Sequence, residues 1–271
     1  MWAFLNNEFI DEQNAILHAS DLAIQRGYGI FDFFKVARSV PVFLDDHLDR
    51  FYFSAERMRL DIDYSKQDLK NILAELLQRN KATDTGVRMT LTGGYSPDGF
   101  QLVKPNLLIT QRPFLKPTEE QLTKGIRLMS HEHQRQLPEV KSIDYLMAIW
   151  LQPLLKEKGA DDILYHQNGW VTECPRSNFF IITEDNKIVT PRRNILNGVL
   201  RKKLVELAPT NFVVEERDLS FDEIRRAKEA FITSTTKTIL SVSQIDQHTF
   251  PAVYDLSKVL RQTLLDLELV K

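Results

Sequence analysis

Gln167-Asn168-Gly169-Trp170-Val171-Thr172-Glu173-Cys174-Pro175-Arg176-Ser177-Asn178-Phe179-Phe180-Ile181-Ile182 decides how the second half of the chain is read. Asn-Gly suits the left-handed backbone of a two-residue turn, so a hairpin is expected about Asn168 and Gly169. The apolar run that follows is a strand, and Asp185-Asn186 marks the turn of a second hairpin. Before this block, a helix is expected from about Ser142 to Lys158, ended by Gly159 and open to a kink or split at Pro153. After it come shorter helices at Gly198 to Leu207, after Ser220 with Glu223 in a capping box, and at Ala252 to Leu267.

The first half reads the same way. Trp2 to Ile10, with Asn6 and Asn7 between apolar runs, predicts an opening hairpin, and Gly29 to Val36 a strand. Leu48, Phe51, Ala55 and Met58 recur at helical spacing, with Arg50 near the start of that helix. Ser65 with Asp68 three residues on announces another helix, carrying Leu69, Ile72, Leu73, Leu76 and Leu77 on one face. Val87 to Thr92 and Asn106 to Thr110 read as strands separated by the turn-rich Gly93-Gly94-Tyr95-Ser96-Pro97-Asp98-Gly99, which suits the border of a site. Pro113 and Pro117 stiffen a short linker. The expected division is an N-terminal α/β domain over 1–112, a linker over 113–118 and a C-terminal α/β domain over 119–271.

At 271 residues, 43% hydrophobic and 27% charged, the chain has the composition of a globular protein rather than a disordered one. A net charge of −2 offers no overall field for nucleic acid or an anionic membrane. Lone Cys174 cannot form an internal disulfide, and no apolar run approaches the roughly 20 residues of a membrane span. With no basic, apolar leader in MWAFLNNEFIDEQ, a cytoplasmic location is expected.

No phosphate-binding P-loop, dinucleotide fingerprint, zinc-protease pair or serine elbow is present. His131 and His133 lack a third ligand at metal spacing and read as surface histidines beside a loop. What remains is a set of small signals. Lys141 precedes a helix, either as a solvated lysine or as a reactive amine whose neighbours lower its pKa. Glu173 beside an apolar strand is either a solvated carboxylate or a partner for a protonated ring nitrogen. Gly198 at a helix start leaves backbone N–H groups that can receive a phosphate, or is an ordinary helix entry capped by Asn197. Ser234-Thr235-Thr236 is a plain turn or a second set of phosphate donors.

Taken in order, His47-Leu48-Asp49-Arg50, Lys141-Ser142-x-x-Tyr145, Glu173-x-x-x-Ser177-Asn178, Ile195-Leu196-x-Gly198 and Thr233-Ser234-Thr235-Thr236 resemble the class IV aminotransferases over nearly the whole chain. That pyridoxal-phosphate family of fold type IV includes branched-chain aminotransferases, D-amino-acid aminotransferases and aminodeoxychorismate lyases. The resemblance implies a two-domain α/β (α+β) fold, an N-terminal α/β sandwich followed by a C-terminal α/β pseudo-barrel, and usually a homodimer. It implies that Lys141 bonds to pyridoxal 5'-phosphate and shuttles the substrate proton, and that Glu173 keeps the pyridine nitrogen protonated. Arg50, Ser177, Asn178, Gly198, Val199, Leu200, Ser234, Thr235 and Thr236 would complete the cofactor site, and Phe31, Gly93 and Tyr95 would border the substrate.

The segment Asp21-Leu22-Ala23-Ile24-Gln25-Arg26-Gly27-Tyr28-Gly29-Ile30-Phe31-Asp32 departs from the commonest family pattern at Leu22, Tyr28 and Asp32, and Asp144 and Leu200 depart elsewhere. Phe31 lacks the phenol of the D-amino-acid enzymes, and the loop Thr92 to Gly99 lacks their Arg and His. The expected activity is therefore amino transfer from a small or branched apolar amino acid to a 2-oxo acid, with 2-oxoglutarate as acceptor. The alternatives are an aminodeoxychorismate lyase, a D-amino-acid aminotransferase or a non-catalytic homologue of the fold.

Overall fold

The computed structural model describes residues 1–207, 212–251 and 254–269, in two units. The first comprises 1–114 with 140–144, and the second 115–139 with 145–271.

In the first unit, Asn6 and Asn7 both take left-handed backbone and turn β1 (Trp2–Leu5) into β2 (Glu8–Asp11). Asp21 caps α1 (Leu22–Arg26), after which come β3 (Gly29–Ala37), β4 (Val40–Pro41) and α2 (Leu44–Arg57). The Ser65 hydroxyl receives the Asp68 N–H while the Asp68 carboxylate receives the Ser65 N–H, the reciprocal cap predicted for α3 (Lys66–Arg79). β5 (Thr85–Thr92) and β6 (Leu107–Arg112) complete an antiparallel sheet ordered β2-β1-β6-β5-β3-β4. Leu48, Phe51 and Ala55 of α2 and Leu69, Leu73 and Leu76 of α3 share one buried core with Ile30 and Phe34 of β3. At roughly 1.5–3 kcal/mol for each large apolar side chain buried, this face dominates the unit's stability.

In the second unit, Thr118 caps α4 (Glu119–Lys124), which leads into β7 (Ile126–Glu132). The helix expected over Ser142 to Lys158 is split, one of the two outcomes Pro153 leaves open, into α5 (Leu146–Trp150) and α6 (Gln152–Lys158). Pro153 has no N–H to donate, so the chain restarts at Leu151 with the proline in the first turn. Ser142 to Asp144 belong to the first unit and are not helical, because long-range pairing with β3 overrides the local pattern. The Ile143 N–H donates to the Gly29 carbonyl at 3.0 Å, and Ser142 bridges Ile30.

The second sheet has eleven strands among the described residues: β7, β8 (Asp162–Gln167), β9 (Trp170–Val171), β10 (Glu173–Cys174), β11 (Ser177–Ile182), β12 (Ile188–Thr190), β13 (Val214–Glu216), β14 (Leu219–Ser220), β15 (Glu229–Ser234), β16 (Thr238–Ile245) and β17 (His248–Thr249). Its path runs β13-β12-β11-β15-β16-β7-β8-β9-β14, with β10 on β11 and β17 on β16. Asn168 and Gly169, both at positive φ, make the β8–β9 turn, and Asn186 sits in the β11–β12 turn, as their sequences predict. Helices α7 (Val199–Leu207), α8 (Phe221–Arg225) and α9 (Asp255–Leu269) complete the unit. The expected start of the last helix at Ala252 lies outside the described residues. No helix among the described residues is long and apolar enough to cross a membrane.

Candidate active site

Lys141 lies in the first unit. Its N–H donates to Ser54 Oγ at 3.2 Å, and its carbonyl accepts from the Phe31 N–H at 3.0 Å. The side chain reaches the Phe31 ring, with Nζ 4.4 Å from the ring centroid. Arg88 of β5 approaches the same ring, with Cζ 3.8 Å from the centroid. Nothing in the sequence around Arg88 singles it out. Its only signal is register: β3 pairs Phe31 with Thr90 and Phe33 with Arg88, so Arg88 lies on the same sheet face as Phe31.

Asp32, a departure from the family pattern, is fully buried. Its carboxylate accepts from Arg50 Nε at 2.9 Å and Arg50 Nη2 at 2.8 Å, and from His47 Nδ1 at 2.7 Å. His47 and Arg50, three residues apart on α2, face Asp32 together. Arg50 is thereby fixed with two of its nitrogens on Asp32 and the Nη1 edge turned away from that pair. Burial alone would raise the Asp32 pKa, but Arg50 and His47 overcome it and hold the carboxyl well below the usual range. Burial also lowers the His47 pKa, and Arg50 and Lys141 add to the effect against the pull of Asp32.

Both groups weaken the fold in acid. The depressed Asp32 gives stability that is present above its ordinary pKa of 3.8 and fades as pH falls toward its folded value. Because the folded His47 pKa is lowered, the unfolded chain takes up a proton more readily below the ordinary 6.5, so stability declines with acidification from that point. One proton corresponds to about 1.4 kcal/mol per pH unit. Urea unfolding between pH 7 and 5 should therefore lose part of its pH dependence in His47→Gln, up to about one proton. An unchanged slope would deny His47 this role.

The loop holding Gly93 and Tyr95 is tied down by Asp21, whose Oδ2 accepts from Thr92 Oγ1 at 2.7 Å and Asn106 Nδ2 at 2.8 Å. A Cβ on Gly93 would stand 2.9 Å from Leu22 Cβ, so packing requires this glycine. Tyr95 bridges Asp21 by backbone and remains 42% exposed.

In the second unit, Glu173 is the centre of a buried cluster. Its Oε1 accepts from Arg135 Nε at 2.9 Å and Nη2 at 2.7 Å, while Oε2 accepts from the Leu196 N–H at 2.9 Å and Asn178 Nδ2 at 3.4 Å. A solvated strand-end carboxylate is thus excluded: Glu173 is 4% exposed. Arg135 escapes a reading of the sequence because its own segment carries no periodic signal. The ion pair joins residues 38 apart in the chain, a separation that leaves no local pattern to read.

Register explains the rest of the cluster. Glu173 pairs with Asn178, and Asn178 with Thr233, so the three side chains form a row across β10, β11 and β15. Asn178 Nδ2 also donates to the Leu196 carbonyl at 2.7 Å, which holds the approach to α7 against the sheet. A Cβ on Gly198 would lie 2.1 Å from Asn178 Oδ1, so a side chain there would have to push the Asn178 amide out of its bond to the Leu196 carbonyl. Val199 and Leu200 open α7, whose first N–H groups have no partner within the helix. Ser234 ends β15, and Thr235 and Thr236 form the turn to β16. Two buried hydroxyls, Ser177 Oγ and Thr233 Oγ1, have no hydrogen-bond partner among the described residues. Buried hydroxyls are almost always paired; Thr233 stands in the Glu173 row and marks a place for a ligand or water, whereas Ser177 pairs with Cys174 on the opposite face of the sheet.

His131 and His133 belong to no metal cluster: no group of three or more potential ligands occurs among the described residues. The His133 ring packs against Tyr165, with centroids 4.9 Å apart.

Residues 29–245 match the family model for class IV aminotransferases. The chain belongs to that family. A D-alanine aminotransferase of Bacillus licheniformis is 28% identical over 255 residues, covering 92% of this chain and 90% of its relative. The fold of this class IV aminotransferase matches a branched-chain amino acid aminotransferase from Escherichia coli, with a TM-score of 0.87, 20% identity and coverage of 98% and 93%. It also matches a Legionella pneumophila structure described provisionally as a 4-amino-4-deoxychorismate lyase, with a TM-score of 0.86, 26% identity and coverage of 95% and 97%.

Pyridoxal phosphate is the cofactor of class IV aminotransferases, and the residues of this chain fit it. The unpartnered Thr233 hydroxyl, the free N–H groups at the start of α7 and the fixed, buried Glu173 carboxylate are the donor and acceptor set that a charged, phosphorylated heterocycle requires.

Proposed function

We propose that the protein moves an amino group between an amino acid and a 2-oxo acid, with Lys141 as the residue that bonds to pyridoxal phosphate. The observation that carries this reading is the buried Glu173 carboxylate, fixed by Arg135, Leu196 and Asn178 in one row with the unpartnered Thr233 hydroxyl. Bound pyridoxal phosphate supplies an electron-withdrawing ring conjugated to the substrate's Cα.

The protein's own groups do the rest. Lys141 would hold the cofactor through its ε-amine, and that amine, when free, would take up the proton that leaves the substrate's Cα. Glu173, held in place by its donors, keeps the proton on the ring nitrogen. Arg50 Nη1, the first N–H groups of α7 at Val199 and Leu200, and the turn at Ser234 to Thr236 bind the phosphate. Phe31 offers an apolar wall, and Arg88 brings a cation to the same ring, suited to a substrate carboxylate. This favours small or branched apolar donors and a dicarboxylic 2-oxo acid as acceptor. We assign the assembly as a homodimer, for which the exposed Leu146, Ile149 and Trp150 of α5 offer an apolar surface.

The test adds L- and D-amino acids singly, without acceptor, to protein loaded with pyridoxal phosphate. The expected result is about one equivalent of 2-oxo acid per chain from L-valine, L-leucine or L-isoleucine, in keeping with half of a two-step exchange. Arg88→Ala should raise KM for 2-oxoglutarate about tenfold or more and change kcat less. D-Alanine as sole donor would shift the assignment toward the relative from Bacillus licheniformis, and repeated pyruvate release from aminodeoxychorismate without acceptor would make the protein a lyase. No 2-oxo acid from any of these would overturn the proposal.

A further inference from the structure

The turn Ser234 to Thr238 is built at a conformational cost that its own residues do not explain. Ser234 pairs with Thr238 across the turn, and Thr238 takes φ +58°, the left-handed region that favours glycine. A β-branched residue is a poor occupant there, and Thr238 is only 2% exposed. Something outside the loop therefore holds it.

That element is α9. Arg261 Nη1 donates to the carbonyls on either side of Thr238, to Lys237 O at 2.6 Å and to Ile239 O at 2.7 Å. Two turns further along the helix, Glu268 Oε1 accepts from Thr238 Oγ1 at 3.3 Å. The other end of α9 is anchored separately: the buried Glu229 carboxylate accepts from the Leu256 and Ser257 N–H groups, both at 3.0 Å. Lys237, next to Thr238 in the turn, also reaches away from α9, its Nζ donating to Asp162 Oδ2 at 3.0 Å.

We propose that Arg261 is a positioning residue for the cofactor phosphate: from α9 it clamps the strained Thr238 and thereby sets the backbone of Thr235 and Thr236 in the shape that receives the phosphate. This rests on the proposed role of that turn. The physical reason is preorganisation. A turn already held in the binding shape loses less freedom when the anion arrives, so the clamp acts on retention of the phosphate and not on the chemistry at Lys141.

The experiment measures dissociation constants for pyridoxal phosphate and for pyridoxal, which lacks the phosphate, in the full chain. Arg261→Ala should weaken pyridoxal phosphate about tenfold, leave pyridoxal unchanged, and leave kcat at saturating cofactor within about twofold. Arg261→Lys, which keeps a cationic donor nitrogen on a shorter, less rigid head, should recover part of the loss and guards against simple misfolding. In a Thr238→Gly background, where the left-handed position carries no strain, Arg261→Ala should cost less than about threefold. Equal losses for both ligands, no loss at all, or an undiminished loss in the glycine background would each overturn the clamp. Thr236→Pro, which removes the Thr236 N–H, together with Thr236→Gly, which removes its hydroxyl, separates the two readings: if both leave the preference for pyridoxal phosphate over pyridoxal intact, the turn is not the phosphate site and the role assigned to it fails first. If either erodes that preference while Arg261→Ala does not, only the clamp fails.

Discussion

Lys141→Ala is expected to lower amino transfer about ten-thousand-fold or more while leaving the protein folded. The size follows from the number of tasks assigned to one amine. It would hold the cofactor covalently and, when free, would move the proton from the substrate's Cα. The groups beside it are poor replacements. The Phe31 ring, 4.4 Å from Nζ, has no lone pair to accept a proton, and Arg88 beside it is a permanent cation. Folding should survive because the segment is held by its backbone, through the Lys141 N–H on Ser54 and the Lys141 carbonyl on Phe31, and alanine keeps both. The measurement is steady-state turnover alongside the thermal midpoint. Turnover within tenfold of the unsubstituted protein would remove Lys141 from the mechanism.

Glu173→Gln should reduce turnover about a hundredfold and also lower stability, by roughly 1–3 kcal/mol. Glutamine keeps the shape and can still accept from Arg135, but it cannot balance the guanidinium charge or hold a proton on the ring nitrogen. Arg135 is 16% exposed at its side chain and Glu173 5%, so the lost charge is poorly replaced by water. The two consequences separate by measurement, since the thermal midpoint reports the ion pair and turnover at saturating cofactor reports the ring nitrogen. A stability loss with normal turnover would make Glu173 a structural residue.

Much of the fold was legible where a local rule operates. Ser65 with Asp68 and Ser220 with Glu223 form the reciprocal caps their spacing predicts, and Asn168-Gly169 makes the turn its backbone preference dictates. Legibility failed where a distant strand decides. Ser142 to Asp144 look like a helix start but pair with β3, whose Gly29 and Ile30 lie far earlier in the chain. The site divides in the same way. Glu173, Asn178 and Gly198 stand in short motifs, and the structure brings them into one buried cluster. Arg135 and Arg88 could not be read, because each owes its place to a partner on another strand rather than to its own neighbours. Asp32, which the family pattern presents as a departure, turns out to anchor Arg50 and His47.

The most direct test of the central claim is to load the protein with pyridoxal phosphate, reduce it with borohydride and map the peptides by mass. The predicted product is about one pyridoxyl group per chain, on the peptide carrying Lys141 and absent from Lys141→Ala. A stable adduct on a different lysine, or none at all, would contradict it.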